Sequence, residues 1–247
     1  MENKGFIDSF ARIETKYFLS QEEYRRLRRR VDRHMREDDY GLTTIVNIYF
    51  DTDDYELIRT SLEKPVYKEK LRLRSYGVPK ETDTVFVEIK KKYDGLVGKR
   101  RIGLPMRKAR NYLEHGIHPE TDSQIGREID WFLSRYRLEP KTFIGYDRIA
   151  TFSPDDPELR ITYDFNIRSR ENELDLTAGD SGDLLLPEGQ VLMEIKTGSA
   201  YPLWLSNILS EGRIYPVSFS KYGCSYLRKT ESARESGNAE HLYTATA

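Results

Sequence analysis

Arginine, lysine and glutamate recur at every second position in several stretches of the chain. In residues 70–74, Lys70, Arg72 and Arg74 alternate with leucines. An alternation with a period of two places one row of side chains on each face of a β-strand. A row of cations is suited to binding phosphate groups, because arginine offers a bidentate fork and lysine offers a compact charge. The pattern therefore indicates an anion-binding face.

Other segments show the same alternation. Their charged or polar rows are Arg12, Glu14 and Lys16 in residues 10–18, Glu88, Lys90 and Lys92 in residues 84–92, Arg160, Thr162 and Asp164 in residues 159–167, Glu194 and Lys196 in residues 191–196, and Arg148 in residues 142–152. For any single strand, the solvated face of an antiparallel sheet would explain the pattern. Five strands with rows of nearly pure Arg, Lys and Glu favour a different arrangement.

A closed barrel whose charged face points inward, with helices covering the apolar outer face, would account for these rows. Arginine and lysine side chains would repel one another in such an interior unless a polyanion filled it. The rows therefore predict an internal anion site. Two of them echo each other, since residues 85–90 (VFVEIK) resemble residues 191–196 (VLMEIK). This match is either chance or the trace of two related halves that each supply a Glu-x-Lys pair.

The overall composition limits the class of protein. The 247 residues carry 40 Lys and Arg against 41 Asp and Glu, a formal net charge of −1. This balance argues against a generally basic, nucleic-acid-binding surface. The single cysteine, Cys224, has no internal disulfide partner, which indicates a reducing compartment. Since the chain also has no signal peptide and no apolar run of about 18 residues, we expect a cytoplasmic protein without membrane insertion.

Helix signals lie between the charged segments. Ser20 and Glu23 form a capping box that opens a helix over residues 21–35, and Pro105 and Gly116 bracket another. Further amphipathic segments cover residues 123–138 and 202–211. We expect one domain over residues 1–229 and a flexible, polar tail over residues 230–247.

Established motifs for other chemistry are missing from the sequence. Residues 95–100 (GLVGKR) are too short for a P-loop and lack the Ser or Thr after the lysine. His115 and His118 do not match a zinc-binding spacing. The sequence contains neither a nucleophile elbow nor a dinucleotide fingerprint. The charged strands therefore remain the main functional signal.

Residues 12–17 (RIETKY), 70–77 (KLRLRSYG), 86–90 (FVEIK), 192–196 (LMEIK) and 220–222 (SKY) carry a family resemblance through their order and spacing. The chain resembles the VTC-type polyphosphate polymerases, within the triphosphate tunnel metalloenzyme superfamily, over residues 6–228. This resemblance implies an α+β fold in which helices pack around an eight-stranded antiparallel β-barrel that forms a tunnel. It also implies transfer of the ATP γ-phosphate to a growing polyphosphate chain, release of ADP, and a divalent metal, Mn²⁺ or Mg²⁺.

The resemblance also implies roles for individual residues. The positions expected to contact phosphate are Lys16, Arg72, Arg74, Lys90, Arg148, Arg160 and Lys221. Further cations expected along the tunnel wall are Arg12, Lys70, Lys99, Arg101 and Lys196. Glu194 is the expected principal metal ligand, with Glu14 or Glu88 as additional ligands. Lys196 either lines the tunnel or pairs with Glu194.

Arg12 departs from the Glu-x-Glu-x-Lys motif of the triphosphatase and class IV adenylyl cyclase branch, since this chain has Arg-x-Glu-x-Lys. Replacing a carboxylate with a guanidinium disfavours metal-activated hydrolysis and favours holding a polyanion. ATP and polyphosphate are the expected ligands. A tripolyphosphatase or nucleoside triphosphatase, and a polyphosphate-binding module without turnover, remain alternatives. A nucleic-acid binder is the least favoured.

Overall fold

The computed structural model describes residues 13–94, 96–119 and 123–244. Within these ranges the strands are β1 (Ile13–Leu19), β2 (Arg36–Glu37), β3 (Thr43–Asp51), β4 (Tyr67–Tyr76), β5 (Thr84–Tyr93), β6 (Leu96–Pro105), β7 (Glu139–Phe152), β8 (Arg160–Arg170), β9 (Asp183–Leu184) and β10 (Val191–Thr197). The α-helices are α1 (Gln21–Val31), α2 (Glu56–Leu62), α3 (Met106–His115), α4 (Gln124–Arg135), α5 (Leu203–Glu211) and α6 (Lys221–Thr244). A short 3₁₀ helix covers Leu176–Ala178.

The strands form one antiparallel sheet. Eight of them follow the order β1-β10-β8-β7-β3-β4-β5-β6, and β2 and β9 pair with β7 and β8. The α+β class is therefore confirmed. The closed eight-stranded barrel is not, because no ladder joins β1 to β6 in the described ranges. The free edge of β1 is instead met by Val217, whose N–H donates to the Lys16 carbonyl at 2.8 Å.

The open sheet curves until side chains from distant strands meet. Lys90 Nζ on β5 lies 3.6 Å from Glu14 Oε2 on β1, and Arg74 on β4 donates to the Tyr146 hydroxyl on β7. A register shift between β7 and β8 adds to this curvature. The charged rows therefore face a shared interior although the ladder stays open.

Helices cover the outer, apolar face of the sheet in two places. One core cluster joins β3, β4 and β5 to α3 and α4, through Val46, Leu71, Val87, Ala109 and Phe132. The other joins β1, β8 and β10 to α1 and α5, through Tyr17, Ile161, Met193, Leu27 and Leu205. This arrangement agrees with the period-two alternation, which predicted one apolar and one charged face.

The predicted capping box opens α1. The Glu23 N–H donates to Ser20 Oγ at 3.2 Å, and the Ser20 N–H donates to Glu23 Oε2 at 2.7 Å. The helix ends at Val31, earlier than predicted, yet Met35 still packs in the core. Helix α3 follows Pro105 and ends at Gly116, whose φ of 66° suits glycine.

Helix α6 begins at Lys221 and extends to Thr244, so most of the segment expected as a flexible tail is helical. Its first turn packs against the sheet, where Tyr222 stacks on Tyr49 and donates to Asp51 Oδ2 at 2.8 Å. This turn lies at the end of the interior where β3 ends. Within the described ranges, none of the helices combines the length and the apolarity that crossing a bilayer requires.

Candidate functional site

Seven strands and the first turn of α6 direct charged side chains into the interior. The strands are β1, β4, β5, β6, β7, β8 and β10, and their inward positions follow from the alternation described above. Two buried centres of negative charge organise these side chains. One is Glu88 on β5, and the other combines Asp164 on β8 with Glu194 on β10.

Glu88 holds the first cluster together. Arg72 Nε donates to Glu88 Oε2 at 2.8 Å, and Lys99 Nζ lies 2.7 Å from Glu88 Oε1. Arg74 Nε lies 3.7 Å from the same carboxylate. Although burial alone would raise it, Arg72, Arg74 and Lys99 lower the pKa of Glu88 to about 2. Glu88 is therefore ionised at neutral pH and fixes three cations.

Neutral groups complete the orientation of the two arginines. Arg72 donates to the Tyr49 hydroxyl at 3.1 Å. Arg74 donates to Asn47 Oδ1 at 3.0 Å and to the Tyr146 hydroxyl at 3.1 Å. A guanidinium has five N–H donors, so each arginine keeps donors for an added phosphate.

Asp164 and Glu194 form the second cluster. Arg148 grips Asp164 in a fork, with Nε donating to Oδ1 at 2.6 Å and an Nη donating to Oδ2 at 2.8 Å. Lys221 Nζ lies 2.6 Å from Asp164 Oδ2 and 3.3 Å from Glu194 Oε1. Burial alone would raise the pKa of Glu194, but Lys221, Lys16 and Arg148 hold it well below its usual range. Both carboxylates are therefore charged in the folded protein.

Lys16 lies between Glu194 of this second cluster and Glu14 on β1. Its Nζ donates to the Phe219 carbonyl at 2.9 Å and lies 3.5 Å from Glu14 Oε1 and 3.7 Å from Glu194 Oε1. Glu14 and Glu194 thus face one space. In the described part of the chain, no group of three or more His, Cys, Asp or Glu side chains could hold a metal ion together.

The remaining predicted cations differ in their exposure and in the groups that they contact. Arg160 and Arg101 are exposed, and Arg101 lies over the Phe86 ring. Lys196 is half-buried, and among the described residues its ammonium makes no ion pair with Glu194 within 4.0 Å. Lys70 Nζ donates to Ser220 Oγ at 3.2 Å. Arg12 lies outside the described residues.

Carboxylates of the protein offset part of the repulsion expected between the interior cations. Glu88, Asp164 and Glu194 each form ion pairs with these cations. Sequence reasoning placed Asp164 on the charged row but assigned it no function. Four further groups that orient the cations are Tyr49, Tyr146, Asn47 and Ser220. Asn47 and Tyr49 on β3 and Tyr146 on β7 lie at positions whose alternation places their side chains on the inner face of the sheet. The period-two pattern could therefore have indicated these three residues.

Known proteins resemble this chain in sequence and in fold. The VTC domain model matches residues 11–228. Vacuolar transporter chaperone complex subunit 4 from Schizosaccharomyces pombe is 21% identical over an alignment of 273 positions, which covers 88% of this chain and 37% of that protein. This chain therefore spans well under half of that relative's length.

Two solved structures show the same fold. A candidate adenylate cyclase from Bacillus halodurans has a TM-score of 0.55 and 16% identity, over 87% of this chain and 96% of that one. HpAC1 from Hippeastrum, a candidate adenylyl cyclase described as having a dominant triphosphatase activity, has a TM-score of 0.50 and 15% identity, over 85% and 93%. Since the VTC domain model covers most of its residues, the chain belongs to the VTC domain family.

Proposed function

We propose that this protein is an ATP-dependent polyphosphate polymerase. One observation carries the proposal: carboxylates on β5, β8 and β10 hold Arg72, Arg148 and Lys221 in fixed positions around one interior. Such an array suits a linear polyanion, whose charge is spread evenly along its length. Membership of the VTC domain family, and similarity to subunit 4 of the vacuolar transporter chaperone complex, support the same activity.

Phosphoryl transfer requires in-line positioning and neutralised charge more than covalent help from the protein. In the proposed reaction, a terminal phosphate oxygen of the polymer attacks the γ-phosphorus of ATP. The bond from that phosphorus to the β,γ-bridging oxygen breaks, and ADP leaves with the electron pair. The attacking oxygen is already ionised, so the step needs no general base.

The two clusters would divide this work. Arg72 and Arg74, fixed by Glu88, would orient phosphates along β4 with their remaining N–H donors. Arg148 and Lys221, fixed by Asp164, would offset the repulsion between donor and acceptor on the opposite wall. Because the carboxylates hold these cations before a ligand arrives, little reorganisation accompanies the reaction.

The family resemblance implies Mn²⁺ or Mg²⁺, and the donor set fits such an ion at one place. Glu14 and Glu194 both approach Lys16 Nζ, so their oxygens face the same space. Two carboxylates suffice for Mg²⁺, which usually keeps water and phosphate oxygens as its other ligands. When bound, the ion would neutralise phosphate charge. Glu88 is contacted by three cations, and we assign it to holding the arginines instead.

The same pair of carboxylates also favours a second candidate, a tripolyphosphatase or nucleoside triphosphatase. An ion held by Glu14 and Glu194 could activate water, and HpAC1 is described as a triphosphatase on the same fold. A polyphosphate-binding module without turnover is the non-enzymatic alternative. Incubation of the purified protein with Mn²⁺ and either ATP or tripolyphosphate distinguishes all three. The polymerase yields polymer and ADP from ATP, the triphosphatase yields free phosphate from one of the two substrates, and the binding module yields no product from either.

A further inference from the structure

Two pairs of neighbouring strands, β1–β10 and β4–β5, differ in the charges that lie directly opposite each other. Between β1 and β10 the pairs are complementary, since Lys16 lies opposite Glu194 and Glu14 lies opposite Lys196. Between β4 and β5 the pairs at the start of β4 are alike: Lys68 faces Lys92 and Lys70 faces Lys90. Lys90 also faces Lys99 on β6. Like charges directly opposite each other destabilise a sheet, so this register is costly without a ligand.

Carboxylates relieve only part of this repulsion. Lys90 forms an ion pair with Glu14, and Lys99 forms an ion pair with Glu88. Among the described residues, no carboxylate lies within 4.0 Å of Lys68, Lys70 or Lys92. Neutral acceptors serve two of them instead, because Lys68 donates to the Ser61 carbonyl at 3.1 Å and Lys70 to Ser220 Oγ. This end of the interior therefore keeps a net positive charge.

The neighbouring lysines also affect the pKa of Lys68. Burial lowers the pKa of Lys68, and Lys92, Lys64 and Lys90 lower it further. Lys64 is exposed just before β4. The positive charge thus extends from the interior to the surface at the end where β4 begins.

This lysine row continues the row of arginines on the same strand face. Lys68 and Arg72 are four residues apart on β4, about 13 Å at the rise of an extended strand. A short triphosphate held at Arg72 and Arg74 would leave Lys68 and Lys92 without a phosphate. A longer chain in the same path would reach both.

We propose that Lys68 and Lys92, together with Lys70, form a lysine port that binds the internal phosphates of a polyphosphate chain beyond the reacting groups. This inference rests on the proposed function and names where the polymer lies. Lysine suits the task because its ammonium is a point charge without the fixed fork of arginine. A chain can therefore advance past these residues without breaking a set geometry.

The test compares two ligands and three proteins. Binding of tripolyphosphate, and of a homogeneous polyphosphate several times longer, is measured by calorimetry without ATP. The proteins are the wild type, the double variant Lys68→Gln/Lys92→Gln, and the control Lys91→Gln. Lys91 neighbours Lys92 on β5 but lies on the outer face, near the Trp131 ring. Thermal unfolding verifies that all three are folded.

We expect the wild type and the control to prefer the longer chain. The double variant should lose about 25-fold of that preference, since it removes two contacts between charges and each such contact in water is worth about fivefold. Its affinity for tripolyphosphate should stay within about twofold. An unchanged preference in the double variant, or an equal loss of affinity for both ligands, would contradict the proposed lysine port. A wild type that binds both ligands but makes no polymer from ATP would refute the proposed function and leave the binding comparison decisive for the port.

Discussion

Lys221 Nζ lies 2.6 Å from Asp164 Oδ2, so the first residue of α6 is ion-paired to a carboxylate with no exposed surface. Arg148 binds the same carboxylate through two hydrogen bonds. Asp164 therefore joins β7, β8 and α6 at one point, and it holds two of the cations that we expect to contact phosphate.

Asp164→Asn should lower the free energy of unfolding by about 3–5 kcal/mol, because it removes one partner of a buried charged network. Tripolyphosphate should restore part of the loss by supplying negative charge at the same place. Chemical denaturation with and without the ligand measures both effects. Asp183→Asn, an exposed change on β9, is the matched control. Wild-type stability in Asp164→Asn would contradict this role.

Arg72→Ala should weaken tripolyphosphate binding by about 10–100-fold, which corresponds to the loss of a charge-assisted hydrogen bond. It should also destabilise the unliganded protein by about 1–3 kcal/mol, because Glu88 loses its closest arginine. Calorimetry and thermal unfolding test the two effects, with exposed Arg107→Ala as control. Full affinity in Arg72→Ala would remove it from the site.

Glu194→Gln should reduce Mn²⁺-dependent turnover of ATP by about 100-fold or more, because it removes a proposed metal ligand. Glu88→Gln should instead lower stability and leave the Mn²⁺ concentration for half-maximal activity unchanged. Titration of Mn²⁺ in both variants, with exposed Glu22→Gln as control, separates the two roles. An unaltered Mn²⁺ titration in Glu194→Gln would assign the metal to other residues.

Burial lowers the pKa of Lys70 to about 8. The protonated form binds an anion, so Lys70 should contribute fully to the affinity for a long polyphosphate chain well below pH 8 and lose its contribution as the pH rises above 8. The loss can approach about tenfold per pH unit. Lys70→Arg should flatten this part of the profile, since arginine stays charged. Affinities measured from pH 6.5 to pH 9.5 provide the test. Parallel profiles for the two proteins would contradict it.

Period-two alternation was sufficient to predict which residues face the interior on β4, β5 and β10. It also identified Glu88 and Glu194 through the repeated Glu-x-Lys segment, and the structure places them at the centres of the two clusters. Apolar alternation likewise predicted the covered outer face, because each row depends only on neighbouring residues along one strand.

Relationships between strands could not be read in the same way. The pairing of Asp164 with Arg148 and Lys221 depends on ladder register and on the position of α6. A register shift near Asn166, whose φ is 47°, turns Ile167 towards the Tyr49 side of the sheet, against simple alternation. In the described ranges β1 does not pair with β6, and the edge of β1 instead contacts Val217. This contact joins residues 201 positions apart along the chain.

The most direct test of the polymerase proposal is a single reaction of the purified protein with ATP and Mn²⁺, in which ADP, free phosphate and polyphosphate are quantified together. The proposal predicts that ADP and polymer-bound phosphate rise in equal amounts while free phosphate stays low. Free phosphate equal to ADP, with no polymer, would contradict the proposal and indicate a triphosphatase.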